Sequence, residues 1–97
     1  MKLPSALISI GFALAVIPAA LATAPPDARL AAVCDSGQGL SPDQWIAACS
    51  AVINSAHGKS ERAIAFYNRA RANRAKNDNA AALADYTRAI ETMPDFA

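Results

Sequence analysis

Two cysteines, Cys34 and Cys49, and one histidine, His57, are the residues of this 97-residue chain best equipped for covalent or metal chemistry. An even cysteine count in an exported chain predicts a disulfide. Closing a loop of about fifteen residues would contribute roughly 3 kcal/mol in the chain-entropy model. Three other readings compete with it. Thiol redox catalysis calls for a C-x-x-C pair or a neighbour that lowers a thiol pKa, and the sequence offers neither. Metal binding by Cys34, Cys49 and His57 fits no zinc spacing and lacks a fourth ligand. Two free thiols are the third alternative. His57 by itself reads as a solvated loop residue.

The remaining chemistry is charge. Arg69, Arg71, Arg74 and Lys76 make one short stretch strongly basic, and Arg71 and Arg74 stand one helical turn apart. Such a pair can hold a carboxylate through paired hydrogen bonds. The plainer reading is a solvated face, as most charge runs are. The chain as a whole is balanced: without Lys2, eight basic residues face eight acidic ones, so general nucleic-acid binding is not indicated. The sequence shows no Gly-rich phosphate loop, no nucleophile beside a base and no paired carboxylates at helical spacing facing a pocket. It reads as a non-enzyme that needs no cofactor or metal.

These residues must be positioned by helices. Hydrophobic residues make up 54% of the chain and aromatics only 6%. Much of that excess is alanine, which favours helix but buries little area. Residues 1–22 read as a secretory signal: Lys2 gives a positive start, Ala6 to Ile17 an apolar core, and Ala20-Leu21-Ala22 a cleavage pattern. Its style is bacterial, which implies a periplasmic or secreted product, membrane-bound only if the segment stays uncleaved. Residues 23–40 read as a mostly non-helical leader and a glycine-containing linker, with at most a turn or two of helix over Ala28–Val33. A first helix should run from Pro42 to about Ser55, with Ser41 and Gln44 forming a capping box. Trp45, Ile46, Cys49, Val52 and Ile53 make its apolar stripe. Ser60 is expected to cap a second helix, Glu61 to Lys76. A third, Asn79 to Thr92, should bury Leu83, Tyr86, Ala89, Ile90 and Met93, and Pro94 should stop it. Asn77 suits the tight turn between them.

The stretch from Ala63 to Asp95, about a third of the chain, resembles a tetratricopeptide repeat, a helix hairpin of about 34 residues. Phe66 matches the leading aromatic and Ala70 the small residue of close helix approach. Ala82 and Tyr86 match the second helix's small and aromatic positions, and Ala89 and Pro94 the closing pair. Asn68-Arg69-Ala70 is similar to the Asn-Arg-Gly of bacterial members. Two positions depart: Asn73 stands where Tyr is usual and Arg69 where Leu is common. Losing that aromatic predicts a loosely packed repeat. Aligning Trp45–Ile53 with Ala82–Ile90 makes residues 41–60 a degenerate half repeat before the full repeat at 61–97. The fold class is therefore all-α, with antiparallel helix hairpins of the tetratricopeptide-repeat type and about one and a half repeats. An unrelated three-helix bundle is the alternative.

The resemblance implies a binding scaffold. In this family the first helix of each pair lines a peptide groove, which places Ile64, Tyr67, Arg71 and Arg74 on that face. The expected function is an exported protein-protein interaction adaptor that takes a protein or peptide partner, an acidic one by its charge. The alternative is a self-assembling structural module, because one and a half repeats leave faces that the leader, a second copy or a partner must cover.

Overall fold

The computed structural model describes residues 26–56 and 58–96. The expected signal segment (1–22), the start of the leader and His57 lie outside the described residues. Among the described residues there are four α-helices and no strand: α1 (Pro26–Ser36), α2 (Pro42–Ser55), α3 (Lys59–Ala75) and α4 (Asn79–Thr92), with a 3-10 turn at Pro94–Phe96. The all-α class holds, and the helices pack as hairpins.

The leader departs most from expectation. It holds an 11-residue helix, α1, rather than a turn or two, and Asp35 and Ser36 belong to that helix rather than to the linker. Pro26 occupies its first position, where a missing N–H costs nothing. Gly37 ends it at φ 60°, its N–H donating to the Val33 carbonyl at 2.9 Å. A Cβ there would lie 2.5 Å from ring atoms of Trp45, so the indole packs directly on the glycine backbone. The Trp45 Nε1–H donates to the Cys34 carbonyl at 2.7 Å. That bond satisfies one of the carbonyls left unpaired at the end of α1.

α2 starts as expected. The Ser41 hydroxyl accepts from the Gln44 N–H at 3.1 Å, and the Gln44 side chain accepts from the Ser41 N–H at 2.9 Å. α3 starts earlier than expected. Gly58 is its cap, in extended conformation and with no side-chain bond, and Ser60 lies inside the first turn. The Gly58 carbonyl already accepts from the Arg62 N–H, so the helix is under way before Ser60. α3 ends on a left-handed Asn77 at φ 66°. The Asp78 N–H reaches the Asn73 carbonyl and the Asn77 N–H the Arg74 carbonyl, both at 2.9 Å, which is a Schellman motif. Asp78 then caps α4, its Oδ1 accepting from the Ala81 N–H at 3.1 Å.

Contacts run in reversed order along neighbouring helices, which makes them antiparallel. From α2 to α3, Asp43 meets Lys76, Trp45 meets Arg71, Ser50 meets Arg69 and the Ala56 carbonyl meets Arg62. From α3 to α4, Tyr67 meets Tyr86 while Asn73 and Arg69 both meet Asp85. α1 packs on α2 and touches α3. The apolar core is small: Cys34, Cys49, Val52 and Ala65, with Leu30, Trp45 and Ile53 partly buried against them. Cys34 and Cys49 are bonded to each other, which excludes free thiols and a thiolate metal site.

Alanine supplies most of the buried apolar residues of α3 and α4. Ala63 and Ala70 on α3 and Ala82 and Ala89 on α4 are all buried, and small side chains of this kind permit close helix approach. The expected stripe on α4 is corrected in part. Ala89 is buried, but Leu83 is 68% exposed and Ile90 45%, and Asp85 takes a buried place. The looseness expected from Asn73 is absent. Asn73 is itself buried and donates to Asp85 at 3.1 Å, and Arg69 grips the same carboxylate with two 2.8 Å bonds. A polar key of Arg69, Asn73 and Asp85 therefore joins α3 to α4 here.

Candidate functional site

The second half of α3 and its C-cap residue Lys76 carry four cations, and the structure divides them. Arg69 turns inward: Nε and Nη2 donate to the two oxygens of Asp85, and Nη1 donates to the Ser50 hydroxyl at 3.0 Å. Its guanidinium also lies 5.5 Å from the Phe66 ring centroid. Lys76 donates to Asp43 Oδ1 at 2.7 Å on the open surface. That hydrogen bond, with the attraction of the same carboxylate, raises the Lys76 pKa above its ordinary value. Arg71 and Arg74 are left outward-facing and exposed.

These two arginines share a concavity of about 340 Å³ with Trp45 and Ala75. The Arg71 guanidinium sits 5.3 Å from the Trp45 ring centroid, a cation–π contact worth about 0.5–1 kcal/mol at an exposed site. Its Nη1 donates to Asn68 Oδ1 at 3.0 Å, and Asn68 Nδ2 donates to Asp35 Oδ1 at 3.1 Å. Asn68 is buried, so this chain of bonds fixes the orientation of Arg71 and ties α3 to α1. A guanidinium has five N–H donors. One is used here, and the others remain for an anion.

The other two residues assigned to the groove face go elsewhere. Ile64 is 39% exposed and lines a larger groove of about 560 Å³ between α1 and the start of α3. Tyr67 is 40% exposed and lies against Tyr86, ring centroids 5.5 Å apart and tilted by 58°. The four residues thus run along one flank of α3 from an apolar groove, past an aromatic pair, to a basic concavity. Sequence reasoning missed two walls of this surface. Trp45 was assigned to an apolar stripe, although its ring also backs Arg71. Asp35 was placed in a linker. The signal that could have found it was its position next to Cys34: once the disulfide joins α1 to α2, Asp35 is carried to the neighbouring helices.

The Cys34–Cys49 bridge has a Cα–Cα distance of 4.8 Å, within the usual range, and both residues are buried. Among the described residues no group of three His, Cys, Asp or Glu side chains is placed to hold a metal ion. No described helix is long and apolar enough to cross a membrane. Compared with known proteins, the chain matches no family model, no curated protein and no solved structure.

Proposed function

We propose that this chain is an exported interaction scaffold of the tetratricopeptide-repeat type, a non-enzyme that holds an acidic segment of a partner protein against the flank of α3. One observation carries the reading. Of the four cations on the second half of α3 and its C-cap, two are paired with Asp85 and Asp43, and the two left over share a concavity walled by an aromatic ring. Two outward guanidiniums, that of Arg71 held by Asn68 and set against the Trp45 ring, suit a carboxylate, because Arg presents paired donors that match its geometry. Export is supported by the buried disulfide, a bond that persists in oxidising compartments, and by the signal-like start of the sequence.

The test is reversal of both charges, Arg71→Glu with Arg74→Glu, in the full exported chain. Loss of binding to acidic peptides, with helicity retained, supports the scaffold. Unchanged binding disposes of it. A second reading, a self-assembling module, draws on Leu83 and Ile90, which stand exposed two turns apart on α4. A strictly monomeric chain at high concentration counts against it.

A further inference from the structure

Two neighbouring residues at the end of α1 hold two walls of the basic concavity. The Cys34 carbonyl accepts from the Trp45 indole at 2.7 Å, and the Asp35 carboxylate accepts from Asn68 Nδ2 at 3.1 Å. Asn68 Oδ1 in turn accepts from Arg71 Nη1 at 3.0 Å, and the Arg71 guanidinium lies over the Trp45 ring. The Cys34–Cys49 bridge fastens this end of α1 to α2. Asn68 is buried, so its amide must be satisfied by the groups that face it. A carboxylate only accepts and a guanidinium only donates. Between Asp35 and Arg71 the amide therefore has one orientation, with its oxygen toward Arg71.

Asp35 stands there against the local preference. It is the next-to-last residue of α1, where the helix dipole disfavours a negative charge. It also sets a carboxylate one amide away from a site read as taking acids. We infer that Asp35 is a positioning residue of the anion site: by orienting the Asn68 amide it holds Arg71 over Trp45, and so strengthens binding of an acidic ligand despite its own charge. This role rests on the scaffold reading and adds a residue that acts through two others. Its mark is a sign opposite to that of simple electrostatics.

The probe is a blocked eight-residue peptide with two adjacent glutamates among serines and glycines, titrated by calorimetry into the full exported chain. Charge alone predicts that Asp35→Ala strengthens binding about twofold, given an exposed site one amide away. Positioning predicts a weakening of about fivefold to tenfold, the scale of one orienting hydrogen bond. Asp35→Asn keeps an oxygen for Asn68 Nδ2 without the charge, and should bind within about twofold of wild type. Should Asp35→Ala lose helicity, Asp35→Lys takes its place; it suits the end of a helix, offers donors only, and should weaken binding although it adds a positive charge. A second readout needs no peptide: the emission of Trp45, the single tryptophan. Asp35→Ala should emit like Arg71→Ala, and Asp35→Asn like wild type. The role is overturned if Asp35→Ala binds as tightly as wild type, if Asp35→Asn weakens binding as much as Asp35→Ala, or if Asp35→Ala leaves the emission unchanged. Should the wild-type chain not bind the peptide, the scaffold reading falls, and the emission of the variants still decides whether Asp35 places Arg71.

Discussion

Replacing Asp85 by alanine should be the most damaging single change in the described chain. Its side chain is 4% exposed and accepts three hydrogen bonds, two from Arg69 at 2.8 Å and one from Asn73 at 3.1 Å, with Arg88 at 3.7 Å. Truncation leaves Arg69, itself largely buried, with only the Ser50 hydroxyl and the Phe66 ring. It also leaves a buried Asn73 amide without its acceptor. Removing one partner of a buried ion pair costs about 3–5 kcal/mol. Arg69 keeps some contact with solvent, so the lower end, about 3 kcal/mol, is expected. A domain of this size has a total stability of about 4–10 kcal/mol. In urea, with a slope of about 1 kcal/mol per M, the midpoint followed by circular dichroism should fall by about 3 M. A double variant, Arg69→Leu with Asp85→Leu, removes both charges and refills the volume, so it should recover the part of the loss due to the orphaned charge, and the unpaired Asn73 amide should account for what is left. A midpoint within about 1 M of wild type for Asp85→Ala would refute the idea that this carboxylate holds α2, α3 and α4 together.

Two further changes probe the α1 end. Cys34→Ser with Cys49→Ser opens a loop worth about 3 kcal/mol, so the melting temperature should drop by about 12–24 °C for a domain this small; an unchanged melt would mean that α1 is held by packing alone. Gly37→Ala forces a left-handed backbone on alanine and pushes Trp45 off its seat; a loss above about 1 kcal/mol with a red-shifted emission from this single tryptophan is expected. Gly39→Ala is the control, because Gly39 is also left-handed at φ 79° but has open space around it. An unshifted spectrum in Gly37→Ala would show that the indole does not rest on that glycine.

The elements with strong local signals were legible. Ser41 and Gln44 announced the start of α2, Asn77 announced the turn after α3, and Pro94 the end of α4, because caps and left-handed turns are decided within a few residues. The disulfide followed from two cysteines and a compartment. What was illegible depended on neighbours far along the chain. α1 has a weak apolar periodicity, and it is stabilised by the bridge to Cys49, the Trp45 indole and the Asn68 amide, none of which lies within ten residues of its centre. On α4 the periodicity was real but misdirected. Leu83 and Ile90 are the large residues, yet Ala82 and Ala89 are the buried ones, as close packing of helices through small side chains allows.

The most informative positions are the two at which the chain departs from the repeat pattern it resembles. Taken one at a time, Arg69 in place of Leu and Asn73 in place of Tyr are each a loss of apolar packing. In the fold they face one acceptor, Asp85, a turn of helix apart on α3. Each explains the other, and neither could be read without knowing that Asp85 on the next helix is buried between them. The same accounting reveals the candidate site. Four cations in a row on α3 suggest a uniformly basic helix only while their partners are unknown. Once Asp85 has taken Arg69 inward and Asp43 has taken Lys76 sideways, the outward charge shrinks to Arg71 and Arg74. The buried key therefore takes one of the four cations out of the charged surface as well as holding the helices. It follows that Asp85→Ala, if it folds at all, should release a third guanidinium toward the cleft it shares with Ile46 and Arg88, and broaden the preference of the chain toward more acidic peptides.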